Sequence, residues 1–234
     1  MVRICILLIT ILITGTPASA QLQKMYGKAE YPFWMNLPHD STLSNKPPLL
    51  VFLHGRSLSG SNLELVKGYG VITEIEAGRI IPAIVVAPQL TKGQGWEPDK
   101  VMSVINYVRT QYTTDSNRLY VVGMSLGGYG VLHFAGKYYQ EVAAAIALCG
   151  GGKPEDACNL AKIHLWIQHG KKDRAVPFSE SENLVNAIRK CENSDKLVFT
   201  IHEDYGHSEL ARCFRQDEFY DWLFSKRREA PAKP

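Results

Sequence analysis

The sequence has no Cys-x-x-Cys pair, no His-Glu-x-x-His, and no lysine in Gly55 to Ser61, where the glycine spacing resembles a P-loop. These absences leave zinc, dithiol-redox and nucleotide-phosphate chemistry without support. His39, His133, His164, His169 and His202 stand at no metal-ligand spacing, so neither a metal nor a cofactor is expected. A charge surplus in the body of the chain is also lacking. The formal net charge is +3, and the tail Lys226 to Pro234, with four basic residues and one acid, accounts for it. A near-neutral body argues against a nucleic-acid partner, which demands a basic face. No internal repeat and no linker-like stretch between domains is present.

Long apolar runs are missing with one exception. Ile4 to Ile13 is nearly unbroken, follows Arg3, and precedes Ala18 and Ala20 in a small-x-small pattern. That is the form of a secretory signal peptide over residues 1–20, too short for a comfortable membrane span. No lipobox-type cysteine and no twin arginine accompanies it. The expectation is an exported chain beginning at Gln21, secreted or periplasmic, with no stable membrane insertion after cleavage. Export permits disulfides. Cys5 leaves with the leader, and Cys149, Cys158, Cys191 and Cys213 then allow three pairings, among which the sequence does not choose.

What is present is an ordinary globular composition. With 234 residues, 45% hydrophobic and 21% charged, the chain is sized for one domain with a sizeable core. Short apolar runs at Leu49–Leu53, Ile84–Ala87, Arg118–Val122, Ala143–Leu148, His164–Gln168 and Leu197–Ile201 are bounded by turn residues. They read as buried strands of a parallel sheet. The alanine-rich fourth run would also suit a helix. Helical stretches are expected at Asp99–Tyr112, Gly127–Tyr139, Phe178–Cys191 and Phe214–Phe224, the first with Val101, Val104, Ile105 and Val108 on one face. Tyr31–Leu37 is expected to add an edge strand or hairpin. The alternation implies an α/β fold, a doubly wound, mostly parallel sheet with helices on both faces. The expected domain runs over residues 21–226, followed by a flexible basic tail, 227–234.

The sharpest chemical signal is Gly123-Met-Ser-Leu-Gly127. It follows a strand-like run and precedes a helical one, the setting of a nucleophile elbow, where a tight turn lifts the Ser125 hydroxyl above the sheet. A serine hydroxyl is a weak nucleophile until a base takes its proton. His207, in the loop after the last run, can take it and later return it to the leaving group. Asp173 would orient His207 and stabilise its charged form. Asp204, three residues before His207, is the rival acid, although it fits better as a turn cap.

Ser125 in its elbow, Asp173 in "HGKKDRAVP" and His207 in "DYGHSEL" resemble the triad of the α/β-hydrolase superfamily, in that superfamily's chain order. "FLHG", Phe52 to Gly55, resembles its oxyanion loop. "TTDSNRLYVVGMSLGGYG" is similar to the elbow region of secreted feruloyl and acetylxylan esterases, and of polyhydroxyalkanoate depolymerase-like and phospholipase/carboxylesterase-like members. The resemblance spans about residues 49–223 and implies the α/β-hydrolase fold and the triad Ser125, Asp173 and His207. It also implies backbone N–H donors from Arg56 and Leu126 for the oxyanion, with His54 supporting that loop. Trp96, in "KGQGWEP", is a candidate for lining the substrate site, or else packs the loop. Caps of this fold are commonly inserted between the fourth and fifth runs, where only Gly150 to Ile163 lies, so an open site is expected.

The function implied is cofactor-independent hydrolysis of a carboxylic ester, on a small molecule or attached to a polymer, with acetyl or feruloyl groups on polysaccharide suggested by analogy. A prolyl-oligopeptidase-type serine peptidase is the enzyme alternative, and it usually carries a gating domain. Dienelactone hydrolase-like proteins share the fold but typically place cysteine at the nucleophile, so Ser125 argues against that activity. A non-catalytic binding protein on the same fold is the alternative from another class. Oligomeric state is not legible.

Overall fold

The computed structural model describes residues 22–38, 45–192 and 194–228. The expected leader, residues 1–20, and the tail beyond residue 228 lie outside the described residues. Among the described residues the strands are β1 Gln23–Met25, β2 Phe33–Asn36, β3 Leu49–Leu53, β4 Ile84–Pro88, β5 Leu119–Met124, β6 Val142–Leu148, β7 His164–Gly170 and β8 Leu197–His202. The helices are α1 Val71–Glu76, α2 Pro98–Gln111, α3 Leu126–Lys137, α4 Ala157–Leu160, α5 Phe178–Ile188 and α6 Asp217–Phe224.

All the strands join one sheet in the order β1-β2-β4-β3-β5-β6-β7-β8. The β1 and β2 strands form an antiparallel edge, and β2 also runs antiparallel to β4. Every other pairing is parallel. The central strands are apolar on both faces because helices cover both. Along β3, Leu49, Val51 and Leu53 point into the core beneath α2, α3, α4 and α5, while Leu50 and Phe52 point into the core beneath α1 and α6. On α2, Val101, Val104, Ile105 and Val108 are fully buried. Burying each such side chain contributes about 1.5–3 kcal/mol relative to exposure.

The alanine-rich run is a strand, β6, paired on both sides with β5 and β7. Its small side chains suit a central strand beneath α3, whose Gly127, Gly128 and Gly130 are buried. The closing helix begins later than expected. Residues 208–215 form a 3-10 turn, and extended Gln216 separates it from α6. The helix expected to reach Cys191 ends as α5 at Ile188. There Cys191 forms a disulfide with Cys158 of α4, and Cys149 and Cys213 are free and buried.

The tail expected to be flexible is anchored at its start. Arg227 bonds Asp115, and Arg228 bonds Asn117 through both its backbone N–H and its guanidinium. Between β6 and β7 lie only a short 3-10 turn and α4, so among the described residues no sizeable cap covers the carboxyl ends of the strands. Ligands of open α/β sheets bind at those ends. Four loops converge there: after β3 with Arg56, after β5 with Ser125, after β7 with Asp173, and after β8 with His207.

Candidate active site

Ser125 follows the last residue of β5 and caps α3, with φ 59° and ψ −123°. A positive φ is strained for any residue with a Cβ, and such strain collects at functional sites. The flanking glycines permit the turn. A Cβ on Gly123 would lie 2.6 Å from the carbonyl oxygens of Gly127 and Leu53, and one on Gly127 would collide with the Leu53 carbonyl. Ser125 makes no capping bond with its side chain, so its hydroxyl is free for other work.

That hydroxyl meets His207. The Nε2 atom of His207 is 3.0 Å from Ser125 Oγ, and its Nδ1 is 2.7 Å from Asp173 Oδ2. Asp173 Oδ1 accepts from the N–H groups of Ala175 and Val176 at 2.8 and 2.9 Å. Burial alone would raise the Asp173 pKa. The Val176 N–H, the His207 ring and the Ala175 N–H outweigh it and hold the carboxyl below its usual value. An ionised Asp173 accepts the proton of His207 Nδ1, which leaves the Nε2 lone pair facing the serine. The structure therefore brings Ser125, His207 and Asp173 into one hydrogen-bonded line. Asp204 does not join it, nor does it cap the turn as expected. Its carboxylate pairs with Lys172 at 2.7 Å on the exposed surface.

Arg56 and Leu126 both line the cleft beside Ser125. Leu126 is the first residue of α3, where N–H groups have no acceptor within the helix and the dipole is positive. The loop before Arg56 is tied down on both sides. The Gly55 N–H donates to the Tyr69 hydroxyl at 2.8 Å. His54 accepts from the Leu90 N–H at Nε2 (3.1 Å), so its Nδ1–H donates to the Gly55 carbonyl at 2.7 Å. His54 has the supporting position expected of it. Burial pushes its pKa down from 6.5 to about 4.

Because folding favours neutral His54, its contribution to stability is complete above pH 6.5 and is lost as pH falls toward about 4. The loss over that window is about 3 kcal/mol. His54→Asn is expected to be less stable than wild type at pH 7, yet to lose less between pH 6.5 and 4. Melting temperatures measured across that range check this, and equal losses in the two proteins would contradict it.

Trp96 packs the loop and reaches the cleft wall. It is buried at 6% exposure, packs edge-on against Tyr31 and His54, and donates its ring N–H to the His54 carbonyl at 3.0 Å. It also forms part of the wall of a cleft of about 1060 Å³. Tyr129 and His133 continue that wall along α3, and Ser208 and Ala211, which follow His207 in the chain, line the cleft as well. Solvent-exposed Arg56, Ser57, Gly95, Ala175 and Ser208 at its borders make the cleft open rather than a tunnel.

Sequence reasoning gave no site role to Tyr69 or Tyr129, weighed Cys149 only for disulfide pairing, and weighed His169 only as a metal ligand. The Cys149 thiol is buried behind the acid, with its Sγ, a carboxylate oxygen of Asp173 and a ring nitrogen of His207 all within 4.8 Å of one another. Desolvation there pushes the thiol's pKa up. His169 and Tyr129 lie inside the quoted segments around Asp173 and Ser125, but the place of all four beside the site is set by tertiary contact.

A profile described as "Dienelactone hydrolase family" matches residues 85–221, more than half of the chain. The chain belongs to the dienelactone hydrolase family. The match takes in Ser125, Asp173 and His207 and stops short of the loop at Arg56. Within the dienelactone hydrolase family this chain carries serine at position 125, where cysteine was the expected residue. The bifunctional acetylxylan esterase/xylanase XynS20E of Neocallimastix patriciarum is 24% identical over 161 residues, 64% of this chain and 22% of that protein. This chain thus spans under a quarter of that relative. Among solved structures, a thermostable esterase superposes with a TM-score of 0.73 at 23% identity, over 91% of this chain and 64% of its own. The feruloyl esterase module of Clostridium thermocellum, complexed with sinapinate, superposes with a TM-score of 0.64 at 16% identity, over 88% of each chain. At these identities the two structures share the fold with this chain. The expected α/β-hydrolase fold is the one found.

Proposed function

We propose that this member of a hydrolase family is an exported serine esterase that cleaves carboxylic esters through an acyl-enzyme at Ser125. The carrying observation is the unbroken line from Ser125 Oγ through His207 to Asp173, opening onto the cleft. His207 Nε2 takes the hydroxyl proton as Ser125 Oγ attacks the ester carbonyl carbon. The oxyanion that forms is met by the N–H groups of Arg56 and Leu126. His207 then passes the proton to the departing alcohol oxygen, leaving the acyl group on Ser125. A water molecule enters, gives its proton to His207, and attacks the acyl carbon. Return of that proton to Ser125 Oγ releases the acid.

The open cleft favours an ester attached to a bulky alcohol such as a polysaccharide. The acetylxylan and feruloyl esters named for the relatives are the first natural candidates. The leader-like residues 1–20 support export. Turnover of p-nitrophenyl acetate, beside a peptide p-nitroanilide, tests the reading. Ester cleavage without anilide cleavage is expected. Anilide cleavage alone would favour a peptidase, and no turnover of either a binding protein.

A further inference from the structure

One buried titratable group next to the acid has no part in the mechanism above. His169 ends β7 one residue before its last and is fully buried. Its Nε2 lies 3.5 Å from Asp173 Oδ2, the same oxygen that His207 uses, and 3.1 Å from the Val176 carbonyl oxygen. Both neighbours are acceptors, since Asp173 is held ionised, so the proton of the ring belongs on Nε2. The other ring nitrogen, Nδ1, is 2.7 Å from Ser181 Oγ on α5, whose single proton is shared between Nδ1 and the Gly150 carbonyl at 2.6 Å. A buried chain thus runs from the end of β6, through α5 and β7, to the loop that carries the acid.

We propose that His169 is a second imidazole partner of Asp173, a positioning residue that shares the carboxylate oxygen used by His207. The proposal rests on the triad reading above. The geometry gives it two effects. Oδ1 is already fixed by two backbone N–H groups, and the His169 Nε2–H, bonded to the Val176 carbonyl and 3.5 Å from Oδ2, adds an electrostatic attraction that holds that oxygen in place for His207. The same donor takes up part of the charge that would otherwise act on His207 alone. Burial favours the uncharged His169 ring, against the pull of the Val176 carbonyl and the Asp173 carboxylate.

Among the described residues the groups facing His169 are few. Asp173 and His207 approach from their loops, and the Cys149 thiol lies behind Asp173. On α5, Phe178 packs edge-on at 5.6 Å with Lys171 over its ring, and Glu180 is bonded to Tyr129.

Two amides separate the contacts. In His169→Asn the amide falls near the Nδ1 position and keeps Ser181 while losing Asp173. In His169→Gln it reaches the Nε2 position and keeps a donor to Asp173. With p-nitrophenyl acetate, His169→Asn is expected to lower kcat about tenfold or more without changing KM. The acid limb of its kcat/KM profile should move to higher pH, because the full carboxylate charge then bears on His207. His169→Gln should recover most of the rate and the wild-type limb. Two results overturn the proposal: equal losses in both variants that follow their melting temperatures, or a His169→Asn profile identical to wild type. Ser125→Ala run beside them separates the two readings. If it is inactive, a wild-type-like His169→Asn removes only the role of His169. If it is as active as wild type, the triad and the role of His169 fall together.

Discussion

Ser125→Ala is expected to lower kcat on p-nitrophenyl acetate by about a millionfold, the scale on which removing a nucleophile stops a hydrogen-bonded triad from acting as a unit. In the proposed mechanism this hydroxyl oxygen is the atom that becomes acylated, and it is the group that His207 Nε2 meets. What survives is the smaller effect of the oxyanion donors and of binding. The substitution should leave the fold intact. Ser125 makes no side-chain cap, and alanine keeps the same Cβ at the same strained backbone position. Steady-state kinetics with a melting curve on the same sample check both parts. An unfolded variant would leave the rate loss without meaning, and an active one would remove Ser125 from the mechanism.

Asp173→Asn is expected to cost about 10⁴-fold in kcat with little change in KM. The reason lies in what surrounds the carboxylate. The N–H groups of Ala175 and Val176 both donate to Oδ1, so the amide oxygen of asparagine must take that place. Its NH₂ group then lies where Oδ2 was, facing His207 Nδ1 at hydrogen-bond distance. A donor there forces the ring proton from Nδ1 onto Nε2, which then meets Ser125 with a proton instead of a lone pair. The variant also presents a donor to the Nε2–H of His169. A loss of less than about tenfold would mean that Asp173 does not set the tautomer of His207.

Most of the architecture was legible because its central strands are buried on both faces. The runs at Leu49, Ile84 and Leu119 are short and apolar, and that at His164 is mixed but apolar at its centre, the pattern of strands covered on both faces in a parallel sheet. The edge was harder to read. Gln23–Met25 carries no alternation that marks a strand, and it is held as β1 by pairing with β2. The short α1 and the 3-10 turn over residues 208–215 likewise owe their form to packing against Phe52 and its neighbours. The chemistry divided in the same way. Ser125 announced itself through the glycines of its turn, and Asp173 and His207 through chain order. His169, Cys149 and Tyr69 lie beside the acid and the oxyanion loop only after the sheet has formed. The pairing of Cys158 with Cys191 was one of three possibilities until α4 and the end of α5 came within 5.2 Å, Cα to Cα.

The central claim is that Ser125 forms a covalent intermediate, and it can be observed directly. The protein is treated with a fluorophosphonate, which phosphonylates an activated serine and expels fluoride, and the modified peptide is located by mass spectrometry. A single adduct on Ser125, formed in step with the loss of ester hydrolysis and absent from Ser125→Ala, is the predicted result. Inactivation with Ser125 unmodified, or modification at another residue, would contradict the account.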